Sequence, residues 1–233
     1  MIDLYAGLGG WAEGGLAEGY EVVGFDIERH VYGEARYPAQ LVLQDVTTIH
    51  GSQFKDAALI VASPPCQEFS YMAMPWTKAK EKARRIRDGE DDLKRLTALF
   101  DACFRIQREA CEAAGRFIPL VVENVCGAQK WVGRARWHYG SFYLWGDVPA
   151  LMPITMKRQM KSDIVSVRHK GCTNFHQSQE RKATKNDGGS WFNVAHNTTS
   201  GHGQNPDARK AASAHIARIP LPLARWIARA WYP

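Results

Sequence analysis

Short apolar runs alternate with longer amphipathic stretches from the first residue onward. That alternation predicts parallel strands joined by helices. Ile2 to Tyr5, Glu21 to Phe25, Leu41 to Leu43, Ala57 to Val61 and Ile118 to Val122 are expected strands. They are largely continuous apolar runs, as in a sheet covered on both faces. Trp11 to Glu18 is an expected helix. A longer helix is expected from Asp91 or Asp92, with Leu93, Leu96, Phe100, Cys103, Ala110, Cys111 and Ala114 on one face. Gly115 ends it. Pro220-Leu221-Pro222 opens a last helix, with Leu223, Ile227 and Trp231 facing the sheet. The fold class is α/β.

The remaining stretches are less periodic. Tyr71 to Gly89 is basic and aromatic and is expected to form a partly helical loop over a site. Residues 151–213 hold little apolar periodicity apart from Ile164 to Val167, and are expected to form a small, loop-rich insert. Charge sharpens that division. Residues 1–150 carry 17 Lys/Arg and 20 Asp/Glu, a net −3; residues 151–233 carry 13 and 4, a net +9. A second basic cluster, Lys78, Lys80, Lys82, Arg84, Arg85 and Arg87, lies in the expected loop. Two basic zones suggest a polyanionic partner, most simply nucleic acid. Five cysteines without paired spacing argue for a reducing cytosol, and no apolar run reaches the length of a membrane span. The opening residues, Met1-Ile2-Asp3-Leu4, do not look like a signal peptide.

Candidate chemistry clusters at strand ends. Gly7, Gly9 and Gly10 lie between the first strand and the first helix, where glycine lets backbone approach a ligand and exposes helix N–H groups. Asp26 ends the second strand, 19 residues after Gly7, the spacing of an acid that grips ribose hydroxyls. The unit suits NAD, FAD or S-adenosylmethionine, and spacing does not choose among them. Asp45 ends the third strand and has two readings of equal weight, an acceptor for an adenine amino group or an N-cap. Cys66 follows Pro64-Pro65, a stiff turn at the end of a strand, where ligands bind in open α/β sheets. That placement suits a nucleophile. Glu123 ends a fully apolar strand; poor solvation there is expected to raise its pKa and favour proton donation. Arg134 and Arg136 lie among aromatic residues and are candidates for contact with bases or phosphates. His169, Cys172 and His176 lack the second ligand pair of a zinc site and are read as structural.

In this order the motifs resemble the DNA cytosine-C5 methyltransferase family. Asp3-Leu4-Tyr5-Ala6-Gly7-Leu8-Gly9-Gly10 looks like its opening cofactor motif, and Asp26 and Asp45 match its ribose-side and adenine-side acids. Pro64-Pro65-Cys66-Gln67-Glu68-Phe69-Ser70 looks like its catalytic loop, and Glu123-Asn124-Val125 its catalytic Glu-Asn-Val. Ile219-Pro220-Leu221-Pro222-Leu223-Ala224 is similar to the closing motif that returns to the cofactor pocket. The Gly-Asn that usually precedes that motif is absent, and Ala214-His215-Ile216 stands near its place. The family's Gln-x-Arg-x-Arg is not clear, and Arg134 and Arg136 are its nearest substitutes.

The resemblance implies a Rossmann-like sheet in residues 1–150 that binds S-adenosylmethionine and carries the catalysis. It further implies a reduced target-recognition insert over 151–213 and a closing helix over 214–233. Tyr5, Gly7, Gly9, Gly10, Asp26, Ile27, Asp45, Val46 and Pro64 are the implied cofactor contacts. Cys66, Glu123, Arg134 and Arg136 are the implied catalytic residues. The implied reaction is methyl transfer to C5 of a flipped-out cytosine in double-stranded DNA, through a covalent Cys66 adduct. No membrane and no obligate protein partner are expected, and the location is the cytoplasm of a bacterium or a phage-infected host. The compact form looks like phage or prophage relatives, and the short insert implies short or relaxed target specificity. Other readings are the same chemistry on tRNA, a non-catalytic DNA-binding protein, and a dinucleotide oxidoreductase. Pro64-Pro65-Cys66 has no role in the last.

Overall fold

A computed structural model describes residues 1–67, 69, 76–89, 92–152 and 206–233. The chain opens with β1 (Ile2–Leu4), α1 (Gly10–Ala17) and β2 (Val23–Asp26). A small antiparallel pair follows, β3 (Val31–Tyr32) and β4 (Ala35–Arg36), and then β5 (Gln40–Leu43) and β6 (Ile60–Ala62). After these come α2 (Trp76–Arg87), α3 (Leu93–Ala114), β7 (Leu120–Asn124) and the short α4 (Gln129–Val132). A hairpin of β8 (Trp137–Tyr139) and β9 (Phe142–Gly146) precedes α5 (Pro206–Ala217) and α6 (Leu221–Ala230).

The central sheet has seven strands in the order β5-β2-β1-β6-β7-β9-β8. The first five are parallel, and β9 and β8 add an antiparallel edge. This is the expected α/β, Rossmann-like class. The hairpin is an addition to the five expected strands, and its Tyr139, Phe142, Leu144 and Trp145 are buried in the core. The chain runs outward from β1 through β2 to β5, then returns to the far side of β1 as β6. The β1–β6 boundary is therefore the switch point of the sheet, and a crevice there opens at the carboxyl ends of the strands.

Alternation along the buried strands sends side chains into two cores. Leu59, Val61 and Val121 pack with α1 and with Leu223 and Ile227 of α6. Ile60, Ala62, Leu120 and Val122 pack under Phe100 and Ile106 of α3. Asp92 caps α3 by accepting from the Lys94 N–H at 2.8 Å, and Gly115 ends it in the left-handed region at φ 62°. Cys103 lies fully buried on the apolar face of that helix, as the sequence indicates.

The closing helix α6 packs chiefly on α1. A Cβ at Gly14 would lie 2.3 Å from the Ala224 Cβ, so the two helices approach at backbone distance. Arg225 and Arg229 pair with Glu18, Arg218 pairs with Glu13, and Tyr20 donates to the Ala228 carbonyl at 2.9 Å. Among the described residues, no helix is long and apolar enough to cross a membrane. Of the expected 151–213 insert, only residues 151–152 and the start of α5 are described; His169, Cys172 and His176 lie outside the described residues. Within the expected Tyr71–Gly89 loop, α2 is the described helical part.

Candidate active site

Five strand ends meet at the carboxyl edge. The loop after β1 is wound tightly: Tyr5, Gly7 and Gly9 have φ of 58°, 51° and 75°. Tyr5 is the one described non-glycine residue at positive φ, a conformation that costs an L-residue roughly 1–2 kcal/mol. The ring is held there by a hydrogen bond from its hydroxyl to the Leu99 carbonyl of α3 at 2.9 Å.

The three loop glycines answer to different constraints. A Cβ at Gly9 would lie 2.3 Å from the Pro38 ring, and one at Gly10 would lie 2.5 Å from the Ile219 backbone nitrogen. Those two glycines make room for the protein's own chain. Among the described residues, a Cβ at Gly7 would meet only the Tyr5 carbonyl, at 3.9 Å. Gly7 is therefore the position where the loop faces open space, and it is the one a ligand can approach. The N-cap of α1 is Gly9, which offers no side-chain acceptor, so the helix N–H groups are not capped by it.

Asp26 is buried at the end of β2. Its Oδ2 accepts from the Gly7 N–H at 2.8 Å and its Oδ1 from the Glu28 N–H at 3.2 Å. Burial opposes its ionisation, but these bonds and His30 outweigh burial and hold the carboxyl below its ordinary value. His30 Nε2 lies 3.6 Å from Asp26 Oδ1, and the pairing raises the imidazole pKa. His30 was not singled out in the sequence. Its proximity depends on the turn after β2, and no motif marks it. Lys210 of α5 pairs with Glu28 at 2.7 Å, so the C-terminal segment reaches this corner.

The other implied cofactor residues divide. Ile27 is 73% exposed beside Asp26, an apolar surface at the sheet edge. Asp45 Oδ1 accepts from both the Thr47 N–H and its hydroxyl at 2.8 Å, which is the capping reading of that acid. Val46 is buried in the α3-side core. Pro64 is buried, and its carbonyl accepts from Asn124 Nδ2 at 3.0 Å.

That last bond ties the ends of β6 and β7 together. Ser63 N–H donates to the Leu4 carbonyl at 3.2 Å, and Trp11 Nε1 donates to Ser63 Oγ at 3.0 Å. The segment leading into Cys66 is thus fastened to β1, α1 and β7 before the prolines stiffen it. Cys66 is half-buried, and its carbonyl accepts from the Phe69 N–H at 3.0 Å. Glu123 is 3% exposed on the adjacent β7. Alternation puts it on the same face as Val121 and Ser63, the side covered by α1. The nucleophile candidate and the acid candidate therefore stand at neighbouring strand ends beside the glycine loop.

Arg134 and Arg136 are not brought to that face. They line a groove of about 510 Å³ with Lys94, Asp101, Trp131 and Asp147, under α3.

One buried acid went unassigned in the sequence. Asp3 in β1 is 1% exposed and accepts from the Tyr37 hydroxyl at 3.2 Å. Its other oxygen has no hydrogen-bond partner among the described residues. Burial raises its pKa well above the ordinary value; the Tyr37 bond opposes this, the Asp26 charge adds to it, and the Ala12 N–H of α1 opposes it. A raised folded pKa means the folded state holds a proton that the unfolded state has released. Stability must then fall as pH rises from about 4, the unfolded value, toward the folded one. Asp3→Asn keeps an acceptor for Tyr37 and cannot ionise. We expect thermal unfolding of that variant to lose this pH slope and to exceed wild type near neutral pH. An unchanged slope refutes the assignment.

Residues 1–105 match the family model described as C-5 cytosine-specific DNA methylase. No curated protein matches the chain. The matched span contains the glycine loop, Asp26, Asp45 and Cys66, and it ends before Glu123. The N-terminal part of the chain is thus similar to C-5 cytosine-specific DNA methylases, and the mostly parallel sheet is consistent with that likeness.

Proposed function

We propose that this chain is a DNA cytosine-C5 methyltransferase that uses S-adenosylmethionine. One observation carries the proposal: Cys66 follows β6 and Glu123 lies near the end of the adjacent parallel strand β7, next to the β1–β6 switch point and its glycine loop. Neither a binding module nor an oxidoreductase requires a thiol and a buried carboxylate at that edge.

The residues present fit the cofactor. Gly7 leaves its backbone approachable, Asp26 is held ionised for ribose hydroxyls, and exposed Ile27 offers an apolar surface to a base. The N-terminus of α1, whose N-cap Gly9 offers no side-chain acceptor, completes the set. S-adenosylmethionine bound there supplies the methyl group. Cys66 does the activating work on the substrate. Its thiolate forms a bond to cytosine C6, which makes C5 enamine-like. Glu123 holds N3 and delivers a proton there, so that charge does not accumulate on the ring. C5 then forms the new bond to the methyl carbon as S-adenosylhomocysteine leaves; a base takes the C5 proton, N3 returns its proton to Glu123, and the Cys66 sulfur departs as thiolate to restore the aromatic base.

A stacked base cannot reach Cys66, so the cytosine must leave the helix at a cost of a few kcal/mol. Exposed cations of α2, including Arg85 and Arg87, offset that cost through phosphate contacts. The test is methyl transfer from labelled S-adenosylmethionine to duplex DNA and, in parallel, to tRNA. Labelling of DNA cytosine is the expected result. Folded protein that labels neither acceptor overturns the proposal, and labelling of tRNA alone reassigns the substrate.

A further inference from the structure

The groove beneath α3 is separate from the reacting pair. Glu123 lies on the α1 side of the sheet, whereas this groove is lined by residues that pack on the α3 side. Its charge is unbalanced in an instructive way. Three cations face two carboxylates, and each carboxylate has one oxygen engaged by neutral donors, which lowers its pull on the cations. Thr97 Oγ1 donates to Asp101 at 2.6 Å, and Gln107 Nε2 and the Leu120 N–H donate to Asp147 at 2.6 and 2.9 Å. Its cations are not taken up: among the described residues, no ion pair involves Lys94, Arg134 or Arg136.

The backbone that carries the two arginines is nonetheless fixed. Trp145 Nε1 donates to the Gly133 carbonyl at 2.9 Å, the Ala135 N–H donates to Gln129 Oε1 at 3.1 Å, and the Arg136 N–H donates to the Leu144 carbonyl at 2.9 Å. Three anchors hold four residues, yet neither guanidinium reaches an acceptor among the described residues. Ordered backbone with exposed, uncommitted guanidinium groups is preorganised for an external anion. Trp131 forms one wall, and Lys130 Nζ lies 4.6 Å over its ring, adding a fourth cation at the rim.

We infer that this groove binds the phosphodiester backbone of the substrate nucleic acid outside the target base, with Lys94, Arg134 and Arg136 as phosphate contacts. The inference rests on the proposed nucleic-acid methyltransferase function and adds a second anchoring point to it. It also moves the two arginines from the flipped base to the strand that flanks it.

The test is binding of a labelled DNA duplex at several salt concentrations, with circular dichroism and S-adenosylmethionine binding as checks of folding. Each phosphate contact contributes about 0.9 to the slope of log affinity against log salt. R134Q/R136Q is expected to lower that slope by about 1.8 and to weaken binding roughly 30-fold at physiological salt, alike for all sequences. K94Q, on a different element, is expected to lower the slope by about 0.9 and carries the test if the double variant does not fold. R134K/R136K is expected to keep the wild-type slope. Unchanged slopes in both glutamine variants overturn the inference, as does a loss confined to the methylated sequence or one that lysine fails to rescue. If no acceptor is methylated but the slopes fall as stated, the groove assignment stands while the catalytic proposal fails.

Discussion

Cys66→Ala is expected to abolish methyl transfer, by on the order of 10⁴- to 10⁶-fold, the scale of removing the nucleophile from a covalent catalytic unit. The structure makes this a sharp test. The approach to Cys66 is fastened at three points, by the Leu4 carbonyl, by Trp11 and by Asn124, and Pro64 and Pro65 stiffen the turn. The variant should therefore fold and bind S-adenosylmethionine as the wild type does, while losing only the ability to add to C6. Cys66→Ser is expected to be nearly as inactive, because a hydroxyl is a far weaker nucleophile than a thiolate at neutral pH. Transfer is measured with labelled cofactor, and folding by thermal unfolding. A Cys66→Ala protein that retains a tenth of wild-type transfer would refute covalent catalysis from this position.

Glu123→Gln is expected to slow transfer by roughly 10²- to 10⁴-fold, the usual contribution of a positioned proton donor. Glutamine preserves the shape of the side chain between Val122 and Asn124 and retains a hydrogen bond to the base, so binding is expected to change little. What it cannot do is pass a proton to N3. The expected signature is a fall in kcat with KM for DNA nearly constant, measured by steady-state transfer. A rise in KM at constant kcat would instead make Glu123 a binding residue and leave the proton unassigned. Glu123 lies in β7 between two strands of the sheet, so thermal unfolding must accompany the kinetics.

Much of this site was legible before the structure. Strand ends carry the candidates because a buried parallel strand is a continuous apolar run, and a polar residue that closes the run must sit at its edge. That logic located Asp26, Cys66 and Glu123. Asp45 was left with two readings, and the structure shows the capping one. The glycines were identified correctly as a tight loop, but their reasons were not separable in one dimension. Gly9 and Gly10 are small because Pro38 and Ile219 press against them, and only Gly7 faces open space.

The sequence by itself determined the class of fold, the order of the five parallel strands along the chain, and the residue types able to supply a nucleophile, an acid and a ribose-binding carboxylate. These are local properties, written in periodicity, in prolines that end strands and in acids that follow apolar runs. Only the tertiary structure decided which of them are neighbours. It set β6 between β1 and β7, brought Asn124 onto the Pro64 carbonyl, and joined His30 to Asp26 and Tyr37 to Asp3. It also turned Arg134 and Arg136 toward α3, away from the face that carries Glu123. The physical reason is that strand order and the side of the sheet arise from how separate helices and strands cover one another. No residue encodes those contacts by its type or its spacing along the chain.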